Sequence, residues 1–196
     1  LHRMSLLVND LVTLAQSNRT DFVQPEPVDI APLMQDIAAK AAALGNRDWV
    51  LKPNAQGTVT VDAQRLTQAM LQLCANAVKF SEPDTPVELG SAIREDPDAS
   101  PVLLLWVADA GIGIAPEDQE TIFQRFGRGG NGERAQGSGL GLNIVSAIAT
   151  AHGGDVRVES APGAGSVFII NIPLEPSTAP TITLEPIDRT DQEVSP

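Results

Sequence analysis

Apolar residues at Leu1, Met4, Val8, Leu11 and Ala15, spaced three and four apart, open the chain. Leu7 and Leu14 widen this stripe, so residues 1–18 predict an amphipathic helix with a coiled-coil-like seam. Two heptads are too few to stand alone. The spacing fits a terminal helix folded onto a domain as well as it fits half of a dimerising hairpin. Residues 19–27, with Pro25 and Pro27, read as a linker.

Beyond the linker the pattern alternates between the two periods. Val28 to Ile30 predicts a short strand, followed by a helix over 31–44 with Pro32 in its first turn. Trp49 to Lys52 and Thr58 to Val61 predict two strands joined by a turn at Asn54 and Gly57. Asp62 is a good N-cap for a long helix that ends near Phe80. Val87 to Arg94 and Val102 to Asp109 predict a strand pair around an Asp/Pro/Ser loop. Residues 110–136 are glycine-rich and irregular, and Gly137 to His152 opens as a glycine loop and becomes a helix. Val156 to Ser160 and Val167 to Ile172 predict a closing hairpin around Pro162-Gly163. Residues 175–196 are rich in Pro, Thr and acid, and are expected to be disordered. The expected architecture is α/β: a two-layer sandwich, with a mixed, mainly antiparallel sheet covered by three helices and an N-terminal helix added. The expected domain spans 28–174.

Composition narrows the class. With 42% hydrophobic residues and 16 glycines in 196, the chain has a globular composition. Its longest apolar run, Val102 to Ala108, is seven residues, against about 20 needed to span a bilayer. A single cysteine, Cys74, excludes a disulfide framework or a Cys-rich zinc site. The net charge of −12 argues against nucleic acid as a partner. Five acids against one arginine place part of that charge in the tail after Leu174. The chain starts at Leu1 already in helical pattern, which is expected of a fragment.

Three segments carry candidate chemistry. On the 62–80 helix the core stripe is Leu66, Ala69, Met70, Leu73, Ala77 and Phe80. At about 100° per residue, Gln72, Asn76 and Lys79 lie within about 60° of one another beside that stripe. Amide oxygens suit a hard cation such as Mg²⁺, and an ammonium suits phosphate; a solvated polar flank has the same pattern. Asp109 ends an apolar strand and precedes Gly111, Gly113 and Ile114. There a carboxylate can accept from an exocyclic amine, glycines let a flat ligand approach, and Ile114 adds an apolar wall; a plain turn also fits. Gly137, Gly139 and Gly141 run into a helix N-terminus, which presents N–H groups and a positive dipole end to an anion. A dinucleotide fingerprint would need Gly at 142, where Leu stands, and the Lys of a P-loop is missing. Between the two glycine sets lie Phe123, Phe126 and the arginines at 125, 128 and 134, a pattern suited to a mobile lid or to a simple loop.

Taken in order, Asn76-Ala-x-Lys79-Phe80, Asp109-x-Gly111-x-Gly113-Ile114, Phe123-x-Arg125-Phe126, Gly137-x-Gly139-Leu140-Gly141-Leu142 and Gly163-Ala-Gly165-Ser166 resemble five boxes of sensor histidine kinases. These are the N, G1, F and G2 boxes and the final glycine box. The family's ATP-binding domain has the Bergerat fold, shared more distantly with Hsp90, type II topoisomerases and MutL. The resemblance covers roughly Val28 to Pro173, and residues 3–15 look like the end of the second helix of the family's dimerisation hairpin.

The resemblance implies ATP and Mg²⁺ as ligands. Asn76 would ligate Mg²⁺, with Gln72 standing where the family usually has Asn. Lys79 would contact phosphate, and Phe80, where the family often has Tyr, would flank the nucleotide. Asp109 would bind the adenine amine in a pocket shaped by Gly111, Gly113 and Ile114. Phe123 and Phe126 belong to the lid, and Arg128 would reach the γ-phosphate. Gly137, Gly139, Leu140, Gly141 and Leu142 would line the triphosphate. The catalytic pair would be Lys79 and Arg128. Implied partners are the dimerisation and phosphoacceptor helices of a parent kinase, itself a homodimer, and indirectly a response regulator. The implied location is cytoplasmic, in a family whose parent proteins are often membrane-anchored.

The phosphoacceptor is missing. The chain has two histidines, His2 and His152, and neither stands in the family's His-acid-Leu-Arg-x-Pro motif. His152, before Gly153-Gly154, reads as a helix C-terminal residue set against the dipole. The chain alone is therefore expected to bind ATP without phosphorylating itself. A serine kinase of the anti-sigma-factor type and a non-catalytic nucleotide-binding module are the competing readings.

Overall fold

A computed structural model describes residues 10–17, 19, 21–96, 99–123 and 139–174. Strand β1 (Glu26–Asp29) leads directly into helix α1 (Ile30–Ala41), which tightens into a 3₁₀ turn at Ala42–Leu44. Strands β2 (Asp48–Leu51) and β3 (Thr58–Val61) precede helix α2 (Ala63–Phe80). Strands β4 (Pro86–Asp96) and β5 (Ala99–Asp109), two short 3₁₀ turns, helix α3 (Gly141–Ala151), β6 (Asp155–Ser160) and β7 (Ser166–Pro173) complete the domain.

Five strands form one sheet in the order β2-β4-β5-β7-β6, parallel between β2 and β4 and antiparallel elsewhere. The helices cover one face. Their fully buried residues Ile30, Met34 and Ile37 of α1, Leu66, Met70 and Leu73 of α2, and Ile144 and Ile148 of α3 meet Leu89, Leu103, Leu105 and Ile170 of the sheet. This is the expected two-layer sandwich with three helices. Phe80, placed by periodicity on the core stripe, is half-buried, and Cys74 takes a core position instead.

The expected hairpin of β2 and β3 does not form. β2 pairs in parallel with β4, Trp49 beside Val87, whereas β3 pairs with β1 in a separate two-stranded ribbon, Val59 beside Val28. After β2 the backbone keeps following β4, with Lys52 N–H bonded to Leu89 O and Ala55 N–H to Ser91 O. The chain turns away only at Gly57, by which point β3 is beyond reach of β2. The β4 and β5 strands also run further into their connecting loop than the apolar pattern predicts, with an irregularity between Arg94 and Asp96.

Residues 10–16 are helical. Thr13 and Leu14 are buried, while Leu11 and Ala15 of the apolar seam are exposed, Leu11 by 53%. In the stretch read as a linker, Phe22 is buried and stacks under the Arg65 guanidinium, 4.3 Å from the ring centre. No helix among the described residues is long and apolar enough to cross a membrane.

Candidate functional site

Helix α2 carries the first set of candidate residues, and both its ends are secured. Asp62 is the N-cap: Oδ1 accepts the Arg65 N–H at 2.9 Å, and Oδ2 accepts Gln24 N–H at 2.9 Å. The Asp62 N–H itself donates to His152 Nε2 at 3.1 Å, while His152 Nδ1 lies 2.8 Å from Ile148 O. His152 thus meets the α3 carbonyls as its position suggests, but it also ties the end of α3 to the start of α2. At the far end Arg47 donates to Val78 O (2.6 Å) and Ser81 O (3.1 Å), and the Ser81 hydroxyl donates to Ala77 O at 2.7 Å. These bonds satisfy carbonyls that a helix end leaves open. The Phe80 carbonyl remains for the next loop.

That loop follows β5. Ile112 N–H donates to Phe80 O at 3.2 Å, and a Cβ at Gly111 would fall 2.4 Å from the same oxygen. Gly111 N–H donates to Asp109 Oδ1 at 2.8 Å. Burial pushes the Asp109 carboxyl above its ordinary value, an effect offset in part by the Gly111 and Ser166 N–H bonds. On its other side the loop lies against the β6–β7 turn. Gly113 has φ +69°, and a Cβ there would fall 1.9 Å from Ala161 O. Gly163 N–H donates to Ile112 O at 2.8 Å. The glycines at 111 and 113 are therefore required by close backbone packing on both sides, whatever ligand they serve.

Two residues outside the sequence motifs lock this arrangement. Ser160 Oγ accepts Ile114 N–H at 2.8 Å and donates to Gly165 O at 2.7 Å. Its single proton is then used, so the Ser166 hydroxyl 3.0 Å away is the donor of that pair. Gln119 Nε2 donates to Ile114 O (3.1 Å) and to Ser160 O (2.8 Å). Nothing in the sequence around Ser160 or Gln119 distinguishes them from other surface polar residues.

The third set meets α2 at the start of α3. Gly139 has φ +68°, Leu140 is buried, and Leu142 packs against the core. A Cβ at Gly141 would fall 2.8 Å from Gln72 Oε1, so the first residue of α3 sits directly against the polar strip of α2. Asn76 is half-buried one turn further along, and Lys79 Nζ lies 4.4 Å from the centre of the Phe80 ring. Phe123 packs edge-on to Phe168, centroids 6.3 Å apart, and its carbonyl accepts from Asn143 Nδ2 at 2.6 Å. Phe126, Arg128 and Gly137, with Arg125 and Arg134, lie outside the described residues.

The donor set bears on the metal. Among the described residues no group of three or more His, Cys, Asp or Glu side chains is placed to hold a metal ion. The amide oxygens of Gln72 and Asn76, at i and i+4, are hard donors that fit Mg²⁺ but are too few to complete an octahedron. They suit a metal that arrives with phosphate oxygens of its own. The side facing Asp109 differs: a partly desolvated carboxylate beside glycine backbone and an apolar residue suits a flat, amine-bearing ring.

Residues 61–176, more than half of the chain, match the family described as histidine kinase-, DNA gyrase B-, and HSP90-like ATPase. The sensor-like histidine kinase SenX3 of Mycobacterium tuberculosis is 33% identical over 178 residues, covering 88% of this chain and 42% of that protein. The histidine protein kinase DivJ of Caulobacter vibrioides is 34% identical over 189 residues, covering 90% of this chain and 30% of its own length. The chain thus spans less than half the length of these relatives. The crystal structure of full-length ShkA in complex with AMPPNP superposes with a TM-score of 0.69 at 32% identity, over 86% of this chain and 35% of that one. The ATP-binding domain of PrrB from Mycobacterium tuberculosis gives 0.59 at 26% identity, over 78% of this chain and 98% of its own. The mixed sheet with its three-helix layer and these matches agree: the chain belongs to the histidine kinase-, DNA gyrase B- and HSP90-like ATPase family, and the relatives it matches here are named histidine kinases.

Proposed function

We propose that this domain binds ATP with Mg²⁺ and presents the γ-phosphoryl to a histidine on the dimerisation helices of its parent kinase, for relay to a response regulator. The observation that carries this reading is the convergence on one helix. The Asp109 loop is bonded to Phe80 O at the end of α2, and the start of α3 touches Gln72 two turns earlier. Those two contacts lie about 12 Å apart along the helix, a spacing that supports a base pocket at one end and an anion-binding helix N-terminus at the other.

In this reading Asp109 accepts from the exocyclic amine of adenine, while Gly111 and Gly113 let the ring reach the backbone. Phe80 flanks the base side, and Lys79 supplies an ammonium to phosphate oxygens. The N–H groups at the start of α3, from Gly139 to Leu142, face the triphosphate at the positive end of the helix dipole. Gln72 and Asn76 would hold Mg²⁺, which supplies charge neutralisation between the phosphates. Arg128 is assigned to the γ-phosphate by motif position alone. Phosphoryl transfer of this kind depends mainly on positioning and charge stabilisation. The attacking nitrogen is assigned to another segment: both ring nitrogens of His152 are hydrogen-bonded, to Asp62 N–H and Ile148 O, and His2 does not stand in the family's acceptor motif.

The test is a calorimetric titration of the chain with ATP and MgCl₂, paired with labelling by γ-labelled ATP. Binding is expected, weakened by Asp109→Asn. Label is expected on a histidine only when the parent's dimerisation helices are added. An Asp109→Asn variant with unchanged affinity overturns the base pocket, and stable label on His2 of the isolated chain overturns the acceptor assignment.

A further inference from the structure

We infer that Asp10, on the helical segment ahead of the ATP-binding domain, is a positioning residue that orients the Gln72 amide so that its oxygen faces the start of α3. This inference rests on the reading of that region as the Mg²⁺–triphosphate site. Gln72 Nε2 donates to Asp10 Oδ1 at 3.3 Å, while Gln72 Oε1 points at Gly141. An ionised carboxylate can only accept, so it selects the NH₂ end of the amide and leaves the oxygen for the opposite side. Reversed, the amide would turn its N–H bonds, and no oxygen, toward the Mg²⁺ that the reading sets between Gln72, Asn76 and the triphosphate.

The contact is not isolated. Gln68 Nε2 donates to Thr13 Oγ1 at 3.2 Å, and Arg65 Nε donates to Phe22 O at 3.2 Å. Positions 72, 68 and 65 of α2 thus meet residues 10, 13 and 22 in reverse order, so the preceding segment runs antiparallel along α2. Thr13 and Leu14 are buried in that contact. A shift of this segment along α2 would withdraw the Asp10 carboxylate and free the Gln72 amide to turn. The position of the segment and the affinity for the metal are then two readings of one contact.

The experiment measures the Mg²⁺ concentration required for half-maximal ATP binding, by calorimetry on the chain as it stands, with ATP affinity in EDTA as the second readout. Asp10→Ala is expected to raise that Mg²⁺ requirement about tenfold, the lower end of what removal of an orienting partner costs a metal site. Affinity in EDTA is expected to stay unchanged. Asp10→Asn keeps an acceptor oxygen but can also turn its NH₂ toward Gln72, so it is expected to fall between Asp10→Ala and the parent chain. In a Gln72→Ala background Asp10→Ala is expected to add nothing. An unchanged Mg²⁺ requirement in Asp10→Ala, Asp10→Asn more impaired than Asp10→Ala, or full additivity with Gln72→Ala each overturns the inference while leaving nucleotide binding intact. Failure of the unaltered chain to bind ATP with Mg²⁺ overturns the underlying reading as well.

Discussion

His152 Nε2 accepts the backbone N–H of Asp62 across 3.1 Å, joining the last turn of α3 to the N-cap of α2. Because that N–H must donate, the ring proton resides on Nδ1, which donates to Ile148 O. One imidazole therefore holds together the two helices that carry the proposed phosphate and metal residues. His152→Ala leaves the Asp62 N–H and the Ile148 carbonyl without these partners, and is expected to cost about 1–3 kcal/mol. Urea unfolding checks this through the transition midpoint.

Asp109→Asn is expected to separate stability from binding. Burial raises the Asp109 carboxyl above its ordinary 3.8 in the folded chain. A group of that sign favours folding at pH values below 3.8, and that contribution is lost as pH rises through the folded-state pKa. At neutral pH the ionised carboxyl thus favours folding less than its protonated form does. The Asn variant is expected to melt at a higher temperature than the parent at pH 7 while binding ATP more weakly. The difference in Tm should shrink toward zero as pH falls below about 3.8, which calorimetry across pH reads directly.

Two glycines with nearly the same backbone angle should respond differently to alanine. Gly113 (φ +69°) has Ala161 O where a methyl would go, whereas Gly163 (φ +77°) faces open space. Gly163→Ala is expected to cost about 1 kcal/mol of backbone strain. Gly113→Ala adds a steric overlap that displaces the β6–β7 turn or the Asp109 loop, for a total of about 2–4 kcal/mol. It should also abolish ATP binding, which Gly163→Ala should preserve. Thermal melts and titrations of both variants make the comparison.

Cys74 sits in the core of α2 with no exposure, and burial pushes its thiol up to about 12. The thiolate is the reactive form, so a disulfide reagent is expected to modify it only after the helix layer opens. Modification should be negligible in native buffer on the timescale at which the urea-unfolded chain reacts fully. ATP with Mg²⁺ should slow it further at intermediate urea. Rapid native labelling would contradict the packing of α2 against the sheet.

The local elements and the order of the site residues were legible because their signals lie in neighbouring positions. Asp62 at the head of a 3.6-residue apolar pattern is the N-cap of α2, and Val59 and Val61 alternate into the core as period two requires. Asp109, Gly111 and Gly113 could be singled out from a carboxylate and glycines after an apolar strand. Pairing partners could not be read in this way. The segment from Trp49 to Val61 is locally a good hairpin, yet β4 offers β2 a buried parallel neighbour and β1 captures β3. Burial over distant residues outweighs the preference of a short turn.

The contacts that complete the site share that origin. Ser160 and Gln119 hold the Asp109 loop, His152 reaches Asp62 across 90 positions, and Asp10 reaches Gln72 across 62. A single hydrogen-bonding side chain has no period and no flanking signature, so its partner is defined only when two remote backbones are brought within about 3 Å. Neighbouring residues were enough to name the candidate groups and their order along the chain. Which groups hold those candidates in place emerged only on packing, because satisfying buried polar atoms is a property of the packed whole.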